Sequence, residues 1–128
     1  MADSEKITIN LSVVDLGKID LLVEQGYFSS RSDLIRTAIR DKLSNYEGAV
    51  SKQISTHSMG VGVFGVTRRE LEELRQKGLQ KDFNVVGLMV IPKDVTPELA
   101  LDTIRLIRVF GSLRAPEDVK KALGDRIK

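Results

Sequence analysis

Apolar and polar side chains alternate strictly over residues 6–11, with Ile7, Ile9 and Leu11 on one face and Lys6, Thr8 and Asn10 on the other. That is the period of a half-buried strand. The period then changes. Leu16, Ile19, Leu22 and Val23 recur at helical spacing, with Asp15, Lys18 and Glu24 on the wet side. Ser12 and Asp15 have the spacing of a capping box and Gly26 supplies a left-handed stop, so a helix of about three turns is predicted. Ser30 and Asp33 form a second such box, after which Leu34, Ile35, Ala38, Ile39 and Leu43 make a continuous apolar stripe. A second helix is expected to about Tyr46.

Residues 47–58 (EGAVSKQISTHS) lose this periodicity and gain small polar side chains, as a linker would. The expected division is therefore 1–47, a linker over 48–58, and a second domain over 59–128. Residues 59–65 (MGVGVFG) match the glycine pattern of a dinucleotide-binding turn. These glycines lie inside an apolar, strand-like run, and the 63 residues that follow cannot supply a doubly wound sheet. Self-comparison explains the run better. Residues 85–95 align without gaps on 109–119, an offset of 24, with Val, Gly, Pro, Asp and Val recurring in place. Val63, Phe64 and Gly65 open a looser third copy, with the helical 70–74 where the others have Pro-led segments. Each copy reads strand, turn, short helix. A period of 20 to 29 residues that alternates strand and helix is the mark of solenoid units, so three solenoid-like strand-helix repeats are expected. An ordinary α/β sandwich is the competing reading.

The pieces KITINLS and GYFSSRSDLIRTAIRDKL give the first 40 or so of the 128 residues a family likeness. This stretch resembles the ribbon-helix-helix family of DNA-binding transcriptional repressors, the class of Arc, MetJ, CopG and the nickel-responsive repressors. The resemblance implies an α+β fold in which two chains pair their strands antiparallel and insert the ribbon into the major groove. It assigns base contacts to Lys6, Thr8 and Asn10. Lys6 can donate to guanine, Asn10 can pair with an adenine edge, and Thr8 offers a hydroxyl or a methyl group. It assigns phosphate contacts to Ser29, Ser30 and Arg31 and to the amides that open the second helix. Physical chemistry points the same way on assembly. Three elements in about 40 residues cannot bury enough apolar surface to fold alone, so an intertwined homodimer through strand 6–11 and both helices is expected.

Charge gives weaker support. Residues 1–47 hold six Lys or Arg against eight acids, net −2, and the remainder holds 14 against 10, net +4. The pI near 9.0 thus owes nothing to the segment assigned to DNA. Without Cys there are no disulfides, and without an apolar run of 18 residues no membrane span is expected. The start, Met1 to Glu5, is acidic and polar, unlike a signal peptide, so a cytoplasmic, nucleoid-associated protein is expected. A square-planar nickel site needs several His or Cys ligands, whereas His57 is alone and reads as a solvated loop residue. No cofactor and no catalytic residue is expected. Glu70, Glu72 and Glu73 interleave with Arg68, Arg69 and Arg75 as on a solvated, salt-bridged helix. The resulting expectation is a sequence-specific transcriptional regulator, in the first place a repressor, whose residues 59–128 self-associate into higher oligomers. The alternatives are an architectural or partition-type DNA-coating protein and the antitoxin of a toxin-antitoxin pair.

Overall fold

The computed structural model describes residues 4–128; residues 1–3, part of the polar start noted above, lie outside it. The chain divides into two compact units, residues 6–52 and residues 53–128, and Ser4 and Glu5 pack with the second. No helix of the described residues is long and apolar enough to cross a membrane.

The first unit holds α1 (Val13–Glu24) and α2 (Arg31–Ser44). Ser12 Oγ accepts from the Asp15 amide at 3.1 Å and Ser30 Oγ from the Asp33 amide at 3.0 Å, so both predicted caps form. The return bond of the second differs from expectation. The Asp33 carboxylate takes the amide and the hydroxyl of Ser29, at 3.0 and 3.2 Å, one residue upstream of the cap. Gly26 stops α1 at φ 87°, as its position predicts. Residues 6–11 form no hydrogen-bonded strand within the chain. A lone strand has nothing to pair with inside three elements.

Residues 47–58, expected as an irregular linker, carry α3 (Glu47–Thr56) instead. Their composition suggested a loop because Gly48 and the small polar residues hide a short helix, and the division between the two units falls within it. Ser58 turns out of that helix at φ 52°. His57 follows α3, exposed, with Nδ1 3.1 Å from the Gln53 carbonyl.

The second unit is two-layered. β1 (Gly60–Gly65), β2 (Lys81–Val90) and β3 (Ile104–Arg114) form a parallel sheet in the order β1-β2-β3, so consecutive strands are neighbours. A helix follows each strand: α4 (Arg68–Gln76), α5 (Pro97–Thr103) and α6 (Glu117–Leu123). Thr67 and Glu70 close a complete reciprocal capping box on α4, which the sequence reading passed over. Leu71 from α4, Leu99 and Ala100 from α5 and Val119 and Leu123 from α6 pack on Val85, Met89 and Ile107 of the sheet. Burial of that continuous apolar layer holds the unit together. Thr103, the buried polar side chain of this core, donates to the Leu99 carbonyl at 2.7 Å.

The register aligns Val85 with Val109 and Gly87 with Gly111, the same pairs that the 24-residue offset matches. The third copy differs. Gly62, not Gly65, sits in the glycine row, and Gly65 pairs with Val90. The expected match followed the dipeptide Val63-Phe64 instead of the strand pleat. Backbone geometry decides the row: Gly62, Gly87 and Gly111 adopt φ of 128°, 136° and 126°, a region essentially closed to other residues. A Cβ on Gly87 would lie 2.1 Å from the Gly62 carbonyl oxygen, and one on Gly111 2.1 Å from that of Gly87. Only glycine fits the inner rungs.

Candidate nucleic-acid interface

Lys6, Thr8 and Asn10, the side chains assigned to base edges, are all exposed. Their alternation partners Ile7 and Ile9 are exposed too, at 74% and 59%. In a strand that works inside its own chain one of these faces would be covered. Neither is, so residues 6–11 carry an apolar and a polar face with no intrachain support. The same holds for the helices that follow. No residue of α1, α2 or α3 is buried, and Val14, Leu21, Ile39, Leu43, Tyr46 and Val50 stay exposed. Leu16, Ile19, Leu22, Val23, Leu34 and Ile35 are half-buried at best. An apolar surface of this extent on one small unit marks an interaction site.

Ser29, Ser30 and Arg31, the residues assigned to phosphate, sit at the start of α2, where first-turn amides have no partner inside the helix. Each of their side chains is already engaged. Ser30 caps the helix, Ser29 binds Asp33, and Arg31 forms a fork with Asp20 of α1, Nε to Oδ1 at 2.7 Å and a second guanidinium nitrogen to Oδ2 at 2.8 Å. This fork holds the Asp20 carboxyl below the usual carboxylate range, chiefly through the hydrogen bond, and raises Arg31. It joins α1 to α2. Sequence reading missed it because residues 11 apart on different helices meet only through the turn at Gly26. Asp33 adds a negative charge at the helix start, where it complements the dipole as an anion would. Lys6, Lys18, Arg36, Arg40 and Lys42 supply the remaining positive charge of the first 47 residues.

In the second unit, basic side chains are partly engaged with the sheet. Arg105 makes a bidentate pair with Asp82, Nε to Oδ1 at 2.9 Å, and Arg108 lies over the Phe110 ring at 5.0 Å. Arg68 pairs with Glu72 and Arg69 with Glu73 one turn on, the salt-bridged face that the spacing implied. Among the described residues no three His, Cys, Asp or Glu side chains converge as ligands for a metal ion.

Comparison with known proteins gives this arrangement a family. An uncharacterized protein of Methanocaldococcus jannaschii is 41% identical over 51 residues, 40% of this chain. The aligned part spans 50% of that protein's length. No solved structure matches. Residues 2–120 match the Ribbon-Helix-Helix transcriptional regulator family, so the match extends past residues 6–11 and both helices, through the sheet and into α6. With an unpaired alternating segment, two capped helices and a matched second unit, the chain belongs to the Ribbon-Helix-Helix transcriptional regulator family.

Proposed function

We propose that two chains pair residues 6–11 antiparallel and place the resulting ribbon in the major groove, where Lys6, Thr8 and Asn10 read base edges. The observation that carries this reading is the complete absence of buried side chains from α1, α2 and α3. Pairing with a twin would cover Ile7, Ile9 and Leu11, satisfy the strand backbone and close a core between the helices. The polar side chains would then share the opposite, DNA-facing side of the ribbon. Ser29, Ser30, Arg31 and the first amides of α2 would hold a phosphate, Arg31 by exchanging its Asp20 partner for it. The dimer would act as a repressor at a two-fold or repeated operator, and residues 59–128, as solenoid-like repeats, would join bound dimers into larger assemblies.

Fluorescence anisotropy of the full chain against selected and random DNA across a salt series tests this. Each bidentate base contact is worth about 1 to 3 kcal/mol of discrimination. A Lys6→Ala/Thr8→Ala/Asn10→Ala variant is therefore expected to lose about 100-fold or more in preference for the selected site, while much of the salt-dependent non-specific binding remains. Equal binding of all DNA by both proteins would assign an architectural, coating role instead. No binding by the unaltered chain would remove the DNA reading.

A further inference from the structure

We propose that the outer edge of β1 accepts the outer edge of β3 of a second copy, head to tail and in the register the sheet already uses. This rests on the proposed self-association of residues 59–128 and names the surfaces that perform it. The glycine row supplies the first reason. Its rungs point one way: the Gly62 carbonyl faces Gly87 and the Gly87 carbonyl faces Gly111. Both ends are open. The position of a Cβ on Gly62 meets no neighbouring strand, only the Phe64 ring at 4.0 Å, yet Gly62 holds the same φ as the two glycines that a strand presses upon. A following β3 edge would present the Gly111 carbonyl to it.

Backbone polarity supplies the second reason. Val66 N–H donates to Val90, Ile91 N–H to Arg114 and Lys128 N–H to Ile107. Because the groups of a parallel strand alternate sides, Val61, Val63 and Gly65 turn their amides and carbonyls off the β1 edge. Val109, Gly111 and Leu113 likewise turn theirs off the β3 edge. Continuing the sheet's pattern sends Val63 N–H of one copy to the Gly111 carbonyl of the next.

Length supplies the third. β1 pairs with 85–90 of β2, and the same rows on β3 are 109–114, six residues for six. Below them Ile127 bridges Ile107, in a row where β1 has already ended. The occupied part of one edge thus faces the missing part of the other. A cleft of about 190 Å³ lined by Val66, Leu71, Leu74, Lys81 and Phe83 lies beside that missing part, where Ile127 of the preceding copy would arrive. Glu5 accepts from Ser112 Oγ at 2.9 Å and from Arg114 at 3.2 Å, and the Ser4 carbonyl accepts from Arg114 at 3.3 Å, contacts that β3 makes through its side chains. Association of two unlike edges does not close on itself after two copies, so it extends into rings or filaments.

The chain has no Cys, which allows a clean cross-linking test. Val63 and Ser112 share a row through Leu88, with β2 between them. Within one chain their Cα atoms are therefore about 10 Å apart, too far for a disulfide, whereas across the proposed joint they would be about 4.8 Å apart. Oxidised Val63→Cys/Ser112→Cys protein is expected to give a ladder of trimers and larger species on a non-reducing gel. The single variants should cross-link only when mixed. Cross-linking of Val63→Cys alone to the same extent would mean a symmetric joint and overturns the proposal. Sedimentation of full-length Val63→Pro separates the two levels of the reading, since that amide faces away from β2 and its loss spares the fold. Growth beyond the dimer that Val63→Pro abolishes supports the edge joint. Growth that Val63→Pro leaves unchanged overturns the edge joint and keeps the broader self-association. A unaltered chain that stays dimeric at every concentration overturns both.

Discussion

Asp20 holds the guanidinium that the family resemblance assigns to a phosphate, and this competition can be read directly. An exposed ion pair contributes little to stability, so its consequence lies in binding. Asp20→Asn is expected to release Arg31 to the DNA backbone, tighten non-specific binding and steepen the salt slope by about one phosphate contact. An unchanged slope in anisotropy titrations would leave Arg31 as a clasp between α1 and α2. Acid acts on the same pair. The Asp20 carboxyl is held below its ordinary range by the Arg31 hydrogen bond, so its stabilising effect is present above the unfolded carboxylate range and is lost as pH falls through the lowered folded value. Asp82 beside Arg105 and Glu5 beside Ser112 and Arg114 carry the same sign. Thermal melts from pH 6 down to about 2 should therefore show a shallow decline to which Asp20, as one exposed pair among three, adds a small part that Asp20→Asn removes. Neither pair was legible in the sequence, because partners 11 or 23 residues apart meet only once the elements are folded.

Among the elements, the strands of the second unit depend on glycine more than on their apolar residues. Gly87→Ala would place a methyl group 2.1 Å from the Gly62 carbonyl oxygen while forcing alanine to φ 136°. Either effect is costly, and together they are expected to destabilise the unit by about 3 kcal/mol or more, measured by urea unfolding. Thr67→Ala makes a useful contrast, since it opens one helix cap without touching the core. A loss of about 1 kcal/mol is expected there. The 24-residue offset between 85–95 and 109–119 was readable because it repeats five identities in place. The placement of Gly62 was not, since the first copy lacks the Pro and Asp that anchor the other two. Helix α3 was missed because its ten residues carry only Ala49, Val50 and Ile54 as apolar positions among Gly48 and small polar side chains, too few for a readable stripe.

For the whole molecule, burial is divided unequally. The second unit has a closed core between sheet and helices, while α1 and α2 of the first show apolar side chains to solvent. Judged by one chain, Ile9→Ala would be close to neutral, since Ile9 is 59% exposed. In a paired ribbon the same change should cost about 2 to 5 kcal/mol, weaken DNA binding and make the melting temperature rise more steeply with protein concentration. Scanning calorimetry of both proteins over a range of concentrations decides between these outcomes. The sequence by itself determined α1 and α2 of the first unit, because helical stripes and caps are local patterns that the backbone must satisfy wherever it sits. It also determined the repeat between the second and third strands, because side chains that meet the same neighbours recur at the same spacing. Only the tertiary structure decided the strand order, the row shared by Gly62, Gly87 and Gly111 and the fork between Asp20 and Arg31. Those depend on which distant segments are brought within hydrogen-bond or van der Waals reach, and local patterning carries no record of that distance.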